Sequence, residues 1–415
     1  MGTEAQCRNA VIERTHHMTV SELLSGPLAG MKVVDADTHI TEPPDMWTSR
    51  VAKKDQDRVP RKVRGEDGKD IWYYAGDAIF ASPAGAAAVI RKDGKKQSFW
   101  DWNIEAGMQW DEVDEGAYDI PTRLQRMDEM SIHAQIVYPN VAGFGANKLA
   151  KIPDPSLARL IAETYNTAMS EMQEESGLRL FGMALLPFWD LDAAIAEVER
   201  CAALGIRGIT MCSEPHAGGL PSLLDPHWNP LWETLTDTGL VVNFHVGASE
   251  FGMEAYFKSA WDGQSQWRRS LVGATMIELH NAKILANLLT ADLFDRYPDI
   301  RWVSVESGIG WIPYVLERLE YQMLEAGNEE HLGKSPTQKF RDHMYSCFWF
   351  EETAPSRLLD RIGFDNVLFE TDYPHPTCLY PSAVEHGIKV LESWGPDVTR
   401  KVMSENSIKL YNLPF

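Results

Sequence analysis

Short β-prone apolar runs alternate with segments of helical period along most of the chain. The runs are Met31–Val34, Ala134–Val141, Leu180–Pro187, Ile206–Cys212, Val241–Gly247, Ile300–Glu306, Met344–Phe350 and Asn366–Asp372, eight in all. Helix-period segments at Pro155–Glu175, Leu191–Leu204, His227–Thr238, Leu271–Tyr297 and Ile312–Ala326 separate most of them. Strand–helix alternation predicts a parallel sheet with helical crossovers. Eight such units in one continuous pattern predict the closed form, an α/β fold of the (β/α)8 TIM-barrel type, over an open doubly wound sheet.

Three stretches fall outside that minimal pattern. Residues 1–30 lack periodicity and are expected to form an N-terminal arm or an oligomer contact, ahead of one barrel domain over 31–415. Residues 45–125 form a long insertion after the first strand, rich in Trp, Gly and charge. Residues 248–270 follow the fifth strand and carry Phe251, Tyr256, Phe257, Trp261 and Trp267. Insertions of this size in the loops after barrel strands commonly shape a substrate pocket.

Composition narrows the function. The chain has 415 residues, 44% of them hydrophobic, enough for a large core. Its net charge is −21 and no cluster of Lys and Arg stands out, so a nucleic-acid partner is not expected. No apolar run reaches the ~20 residues of a membrane helix, and the N-terminus lacks the layout of a secretory signal. The expected location is cytoplasmic. The five cysteines are far apart and never paired as C-x-x-C, which argues against a disulfide framework or a thiolate zinc site. Any metal would then be held by His and carboxylates.

Those residue types gather at strand ends. Asp37-Thr38-His39 closes the first run, and residues two apart on a strand share a face, so both side chains can address one metal. By itself the triplet reads equally as a capped turn. His245 ends the fifth strand, as a ligand or as a core histidine bonded to backbone. Glu306 ends the sixth, where burial of a lone carboxylate is costly unless it is paired or metal-bound, or where it lies exposed in a loop. Asp372 ends the eighth, ahead of Tyr373-Pro374-His375, as a ligand, a general base or a turn former. His280 lies in a helical segment and reaches the site only if that helix starts near the barrel mouth. All strand C-termini of a barrel converge on one face, where its active sites sit.

The motifs VVDADTHITEPPDMW, VVNFHVG, DRYPDIRWVSVESGIGWIPYVLERLEYQ and IGFDNVLFETDYPHP resemble the amidohydrolase-related metal enzymes. The resemblance is to the branch that includes aminocarboxymuconate semialdehyde decarboxylase and resorcylate-type decarboxylases. It implies metal ligands at Asp37, His39, His245 and Asp372. Asp37 stands where the decarboxylase usually has His, and Glu306 stands where the family has a catalytic strand-six His. With Glu306 and His280 added, the set is large enough for two metals, and His375 is expected just behind it.

VSVESGIGWIPYVLERLEYQ with FETDYPHPTCLYP further resembles a sub-branch containing a non-heme diiron monooxygenase of platensimycin/platencin biosynthesis. That implies two irons, O₂, an electron donor and a bulky, acyl-coenzyme A-linked small-molecule substrate, with Glu306 and Asp372 catalytic. The alternative is a mononuclear zinc or manganese hydrolase or non-oxidative decarboxylase.

Overall fold

A computed structural model describes residues 20–66, 68–81, 90–97, 109–327 and 333–415. Most of the expected N-terminal arm, residues 1–19, and part of the first insertion lie outside them. Within 20–30, Leu28 is buried, and Arg400 donates to the carbonyls of Pro27 and Ala29.

In chain order the strands are β1 (Val34–Ile40), β2 (Arg61–Arg64), β3 (Asp70–Tyr74), β4 (Ala78–Ala81), β5 (Ala134–Pro139), β6 (Leu180–Gly182), β7 (Ala184–Leu185), β8 (Gly208–Thr210), β9 (Val241–His245), β10 (Trp302–Val305), β11 (Met344–Phe348) and β12 (Val367–Phe369). β2, β3 and β4 form a small antiparallel sheet inside the first insertion. The others build the (β/α)8 barrel. β1–β5–β6 and β7 through β12 pair in parallel, each with its sequence neighbour. Met183 separates β6 from β7 and donates its N–H to Val137, so the two pieces are one barrel strand bent between partners. Asp372 N–H donates to Asp37 O at 3.0 Å and His39 N–H to Tyr373 O at 2.8 Å, which closes the eighth strand onto the first.

Two departures from the periodicity have physical causes. β1 spans Val34–Ile40, so the polar Asp35–His39 stretch lies in the strand rather than after it. Every residue of β1 is buried because both faces are covered, and Asp35, Thr38 and His39 find their hydrogen-bond partners inside the protein rather than in water. The predicted helix Leu271–Tyr297 begins earlier, at Gln266, runs to Thr290, and is followed by a short turn of helix at Leu293–Arg296. Before it comes the helix Glu250–Lys258, capped by Ser249 Oγ at Gly252 N–H, so the second insertion is a helical hairpin.

The lumen is packed by Val34, Ile136, Tyr138, Phe181, Met183, Val241, Val303 and Leu368, together with Tyr411 and Leu413 from the C-terminal tail. That tail stops the end of the barrel where the strands begin, with the Phe415 ring 4.6 Å from His133. Tyr138 and Tyr411 hydroxyls donate to Asn243 Oδ1 at 3.0 and 2.7 Å, and Asn243 Nδ2 donates to Ile209 O at 2.9 Å. The Asn243 amide and the two tyrosine hydroxyls are therefore paired. Among the described residues no helix is long and apolar enough to cross a membrane.

Candidate metal centre

At the opposite end the strands deliver acids and imidazoles to one point. Asp37 and His39 come from β1, His245 from the end of β9, Glu306 from just past β10, and Asp372 and His375 from the loop after β12. The β1–β5 register is irregular between Asp35 and Thr38. Asp35 turns away to accept from Thr371 N–H at 2.9 Å, Thr371 Oγ1 at 2.7 Å and Gln135 Nε2 at 3.0 Å. Burial, the main cause, pushes its carboxyl up to about 7.

The imidazoles are oriented by backbone carbonyls. His39 Nδ1 lies 3.1 Å from Pro139 O and His245 Nδ1 lies 3.0 Å from Val246 O. A carbonyl only accepts, so both Nδ1 atoms carry the proton and both Nε2 atoms present lone pairs. Those Nε2 atoms face each other at 3.1 Å. Asp37 Oδ1 is 3.6 Å from His39 Nε2 and 3.5 Å from His245 Nε2. Glu306 Oε2 is 3.5 Å from His245 Nε2, and Asp372 Oδ1 is 3.6 Å from His39 Nε2. His375 stacks on His39 with ring centres 3.7 Å apart and sets Nδ1 2.9 Å from Asp372 Oδ1. Lone pairs and carboxylate oxygens converging in this way repel one another unless a cation lies between them.

The unsatisfied atoms point the same way. Among the described residues both Asp37 oxygens and His375 Nε2 are buried with no hydrogen-bond partner, and Asp372 Oδ1 has only its close approach to His375 Nδ1, which is costly without compensation. Donor atoms of Asp37, His39, His245 and Glu306, and likewise of His39, Glu306, Asp372 and His375, all lie within 4.8 Å of one another. Burial raises the carboxyl groups of Asp37 and, more strongly, Glu306, where Asp372 and Asp37 add to the effect. Burial, then the neighbouring His375 and His245, lowers His39 well below the usual histidine range. Imidazole and carboxylate donors suit iron or manganese as well as zinc. Glu306 and Asp372 have φ of 51° and 58°. Such backbone costs about 1–3 kcal/mol for a non-glycine residue and clusters at functional sites.

Surrounding residues hold this geometry. Glu42, fully buried, accepts from the N–H groups of Asn140 (3.3 Å), Val141 (2.7 Å) and Ala142 (3.0 Å). The loop so fixed lays Phe144 over the imidazoles, 4.2 Å from His245 and 5.0 Å from His39 between ring centres. Arg123, buried, donates to His39 O at 3.1 Å and to Gln135 Oε1 at 2.7 Å. Sequence reasoning missed Glu42 and Arg123. A Glu followed by two prolines directly after a strand end was the available signal for Glu42.

The cluster brings together Asp37, His39, His245, Glu306, Asp372 and His375. His280 is elsewhere: its Nε2 is 2.6 Å from Glu214 Oε2, and it belongs to neither donor set. The helix does pass the barrel mouth, but His280 projects from its flank toward the loop after β8. The aromatics of the second insertion also differ from an enclosing wall. Phe251, Phe257, Trp261 and Trp267 are exposed, Trp261 at 82%.

A family model described as amidohydrolase matches residues 34–413, and the chain belongs to that family. With its buried cluster of imidazole and carboxylate donors, it is a metal-dependent enzyme of the amidohydrolase type. It is 27% identical to the gamma-resorcylate decarboxylase of Rhodococcus jostii over 283 residues, 65% of this chain and 81% of that one. Its fold is similar to an amidohydrolase from Mycobacterium avium subsp. paratuberculosis, with TM-score 0.70 and 20% identity over 92% of this chain and 99% of the other. It is also similar to a dihydroxybenzoic acid decarboxylase from Polaromonas sp. JS666, solved with manganese and the inhibitor 2-nitroresorcinol. That pair has TM-score 0.58 and 16% identity over 92% of this chain and 98% of the other.

Proposed function

We propose that this protein is a non-oxidative decarboxylase of an aromatic carboxylic acid, acting with one divalent ion, manganese or zinc. The ion would be held by Asp37, His39, His245 and Asp372, with Glu306 as an additional ligand. The observation that carries the proposal is the pair of Nε2 lone pairs facing each other at 3.1 Å among unsatisfied carboxylate oxygens. Two of the relatives named above, those from Rhodococcus jostii and Polaromonas, are decarboxylases of hydroxylated benzoates, which supports the substrate class.

When bound, the ion supplies a positive centre that draws the substrate's carboxylate to the barrel mouth. Phe144 covers the imidazoles and keeps water from them. Glu42 holds that cover in place, and Arg123 fixes the backbone of His39. Asp372, 2.9 Å from His375 Nδ1, is placed to move a proton to the ring carbon. The bond from that carbon to the carboxylate then breaks, its electron pair returns to the ring, and CO₂ leaves.

One observation favours a second reading, dioxygen chemistry at two irons with an acyl-coenzyme A substrate: the acidic residue Glu306 adds a third carboxylate to the cluster. Against it stands His39, which both four-residue donor sets require. An imidazole Nε2 has one lone pair and serves one ion, so the two sets cannot both be filled. The test is manganese-loaded protein under nitrogen with γ-resorcylate and other dihydroxybenzoates. Release of CO₂ independent of oxygen is expected. O₂ consumption by iron-loaded protein, with no CO₂ from any benzoate, would overturn the proposal.

A further inference from the structure

The helical hairpin after β9, Glu250–Lys258 and Gln266–Thr290, meets the barrel through one buried carboxylate that the chemistry above does not use. Glu214, in the loop after β8, is 1% exposed. Its oxygens accept from Ser249 Oγ at 2.8 Å, His280 Nε2 at 2.6 Å and Lys283 Nζ at 2.6 Å. Ser249 caps the first helix of the hairpin, and His280 and Lys283 sit one turn apart on the second. One side chain thus ties both helices to the barrel. Burial alone would raise this carboxyl, but the three hydrogen bonds outweigh it and hold it at about 2. Lys283 also lies 4.9 Å over the Phe251 ring, which joins the two helices to each other.

The opposite flank of the second helix faces the metal centre. Asn281 donates to Ser304 Oγ at 3.2 Å and also to Ser307 Oγ, and those serines flank Glu306 in sequence. A Cβ placed on Gly247, two residues past His245, would lie 3.1 Å from Met253 Sδ, 3.4 Å from Ile277 Cδ1 and 3.8 Å from Phe144 Cδ2. Both helices therefore reach the edge of the site. Beside Ile277 stands Glu278, half-buried, with no hydrogen bond or ion pair among the described residues. Burial, then Glu351 and Asp372, push its carboxyl up to about 8.

We propose that Glu214 is a positioning residue that pins this hairpin so that Met253, Ile277 and Glu278 form the wall holding the substrate's ring against the metal centre. The wall is apolar where Met253, Ile277 and Phe144 gather around Gly247, which suits a flat aromatic ring, and Glu278 offers one polar group at its rim. The aromatic-ring part of this proposal rests on the decarboxylase reading; the anchoring part does not. Because the anchor sits apart from the metal ligands, its loss should loosen substrate binding without releasing the ion.

The experiment compares manganese-loaded wild type, Glu214→Ala and Glu214→Gln. Manganese content, amide hydrogen exchange over 250–290 and the Kd for 2-nitroresorcinol are measured together. For Glu214→Ala the expected result is unchanged manganese, faster exchange in the hairpin and a Kd at least tenfold weaker. Glu214→Gln keeps one acceptor oxygen but sets an amide N–H2 against the remaining donors, and should recover only part of that loss. Where Glu214→Ala does not fold, Lys283→Met with Ser249→Ala removes two of the three bonds and should shift exchange and Kd in the same direction. Unchanged exchange would overturn the anchor. Faster exchange with an unchanged Kd would overturn the wall. If wild type itself fails to bind 2-nitroresorcinol, the ring-binding wall falls with the decarboxylase reading, and exchange alone decides the anchor.

Discussion

Two acid–imidazole clusters stand at the same end of this barrel, and they differ in how their polar atoms are satisfied. Around Glu214, one buried carboxylate meets a lysine, a histidine and a serine at 2.6–2.8 Å. Charge and hydrogen bonding close within the protein. Around His39 and His245, three carboxylates meet three imidazoles, and most nitrogen–oxygen distances stand at 3.5–3.6 Å. No lysine or arginine forms an ion pair with Asp37, Glu306 or Asp372 among the described residues, and several of their oxygens have no partner. The same residue types therefore build a strut in one place and a cation site in the other. What separates them is whether partners inside the protein use up the lone pairs.

The largest expected effect comes from removing a charge at each cluster. Asp37→Asn should weaken manganese binding by more than the roughly 10–100-fold typical of losing an outer partner. In protein stripped of metal the same change should raise Tm, because it removes an unpartnered buried carboxylate. Glu214→Gln should lower Tm with or without metal. Thermal melts with and without chelator check both, and a lower metal-free Tm for Asp37→Asn would break the contrast. Next in size, Glu306→Gln removes the charge of the additional ligand but leaves a neutral oxygen for the ion, and should weaken manganese binding by less than Asp37→Asn, at least roughly tenfold. Stoichiometry should stay near one ion per chain in calorimetric titration. A fall from two ions to one would favour the dinuclear reading.

Smaller effects follow from titration. The Glu214 carboxyl is held at about 2, below its unfolded value near 4.5. A depressed group stabilises the fold above its unfolded pKa and loses that contribution as pH falls through the folded one. The stability gap between wild type and Glu214→Gln should therefore narrow as pH drops from about 4.5 toward 2, read by denaturant unfolding. Glu278 is shifted the other way, up to about 8. Its folded form resists ionisation, so in metal-free protein Glu278→Gln should raise Tm at pH 9 and leave it nearly unchanged at pH 5. Least of all, Tyr411→Phe at the other end of the barrel removes one hydrogen bond to Asn243. It should cost about 1 kcal/mol and leave manganese binding intact.

Much of this architecture is legible in the amino-acid pattern. The eight apolar runs mark barrel strands because both faces of such strands are buried, and Asp37, His39, His245, Glu306 and Asp372 are visible as polar residues ending or interrupting those runs. His375 is visible as a near neighbour of Asp372, though its stacking on His39 is not. His280 shows the limit. Successive helical residues are rotated by about 100°, so Asn281 faces the metal centre while His280 faces Glu214. Periodicity reveals that a helix has faces but not which neighbour each face meets. The outward aromatics Trp261 and Trp267 show the same limit, since an aromatic-rich insertion looks alike whether its rings turn inward or to solvent. Glu42 and Glu214 were hidden because a carboxylate in a loop carries no pattern until its backbone or side-chain donors are known.

The contrast between the two clusters is tested most directly by manganese content per chain in wild type, His245→Ala and His280→Gln, prepared side by side and freed of loosely bound ion. About one manganese in wild type and in His280→Gln, with almost none in folded His245→Ala, is the expected result, since loss of a direct ligand exceeds the roughly 10–100-fold cost of losing an outer partner. Full occupancy in His245→Ala, or loss of the ion in His280→Gln, would contradict the assignment of the metal to the unsatisfied cluster.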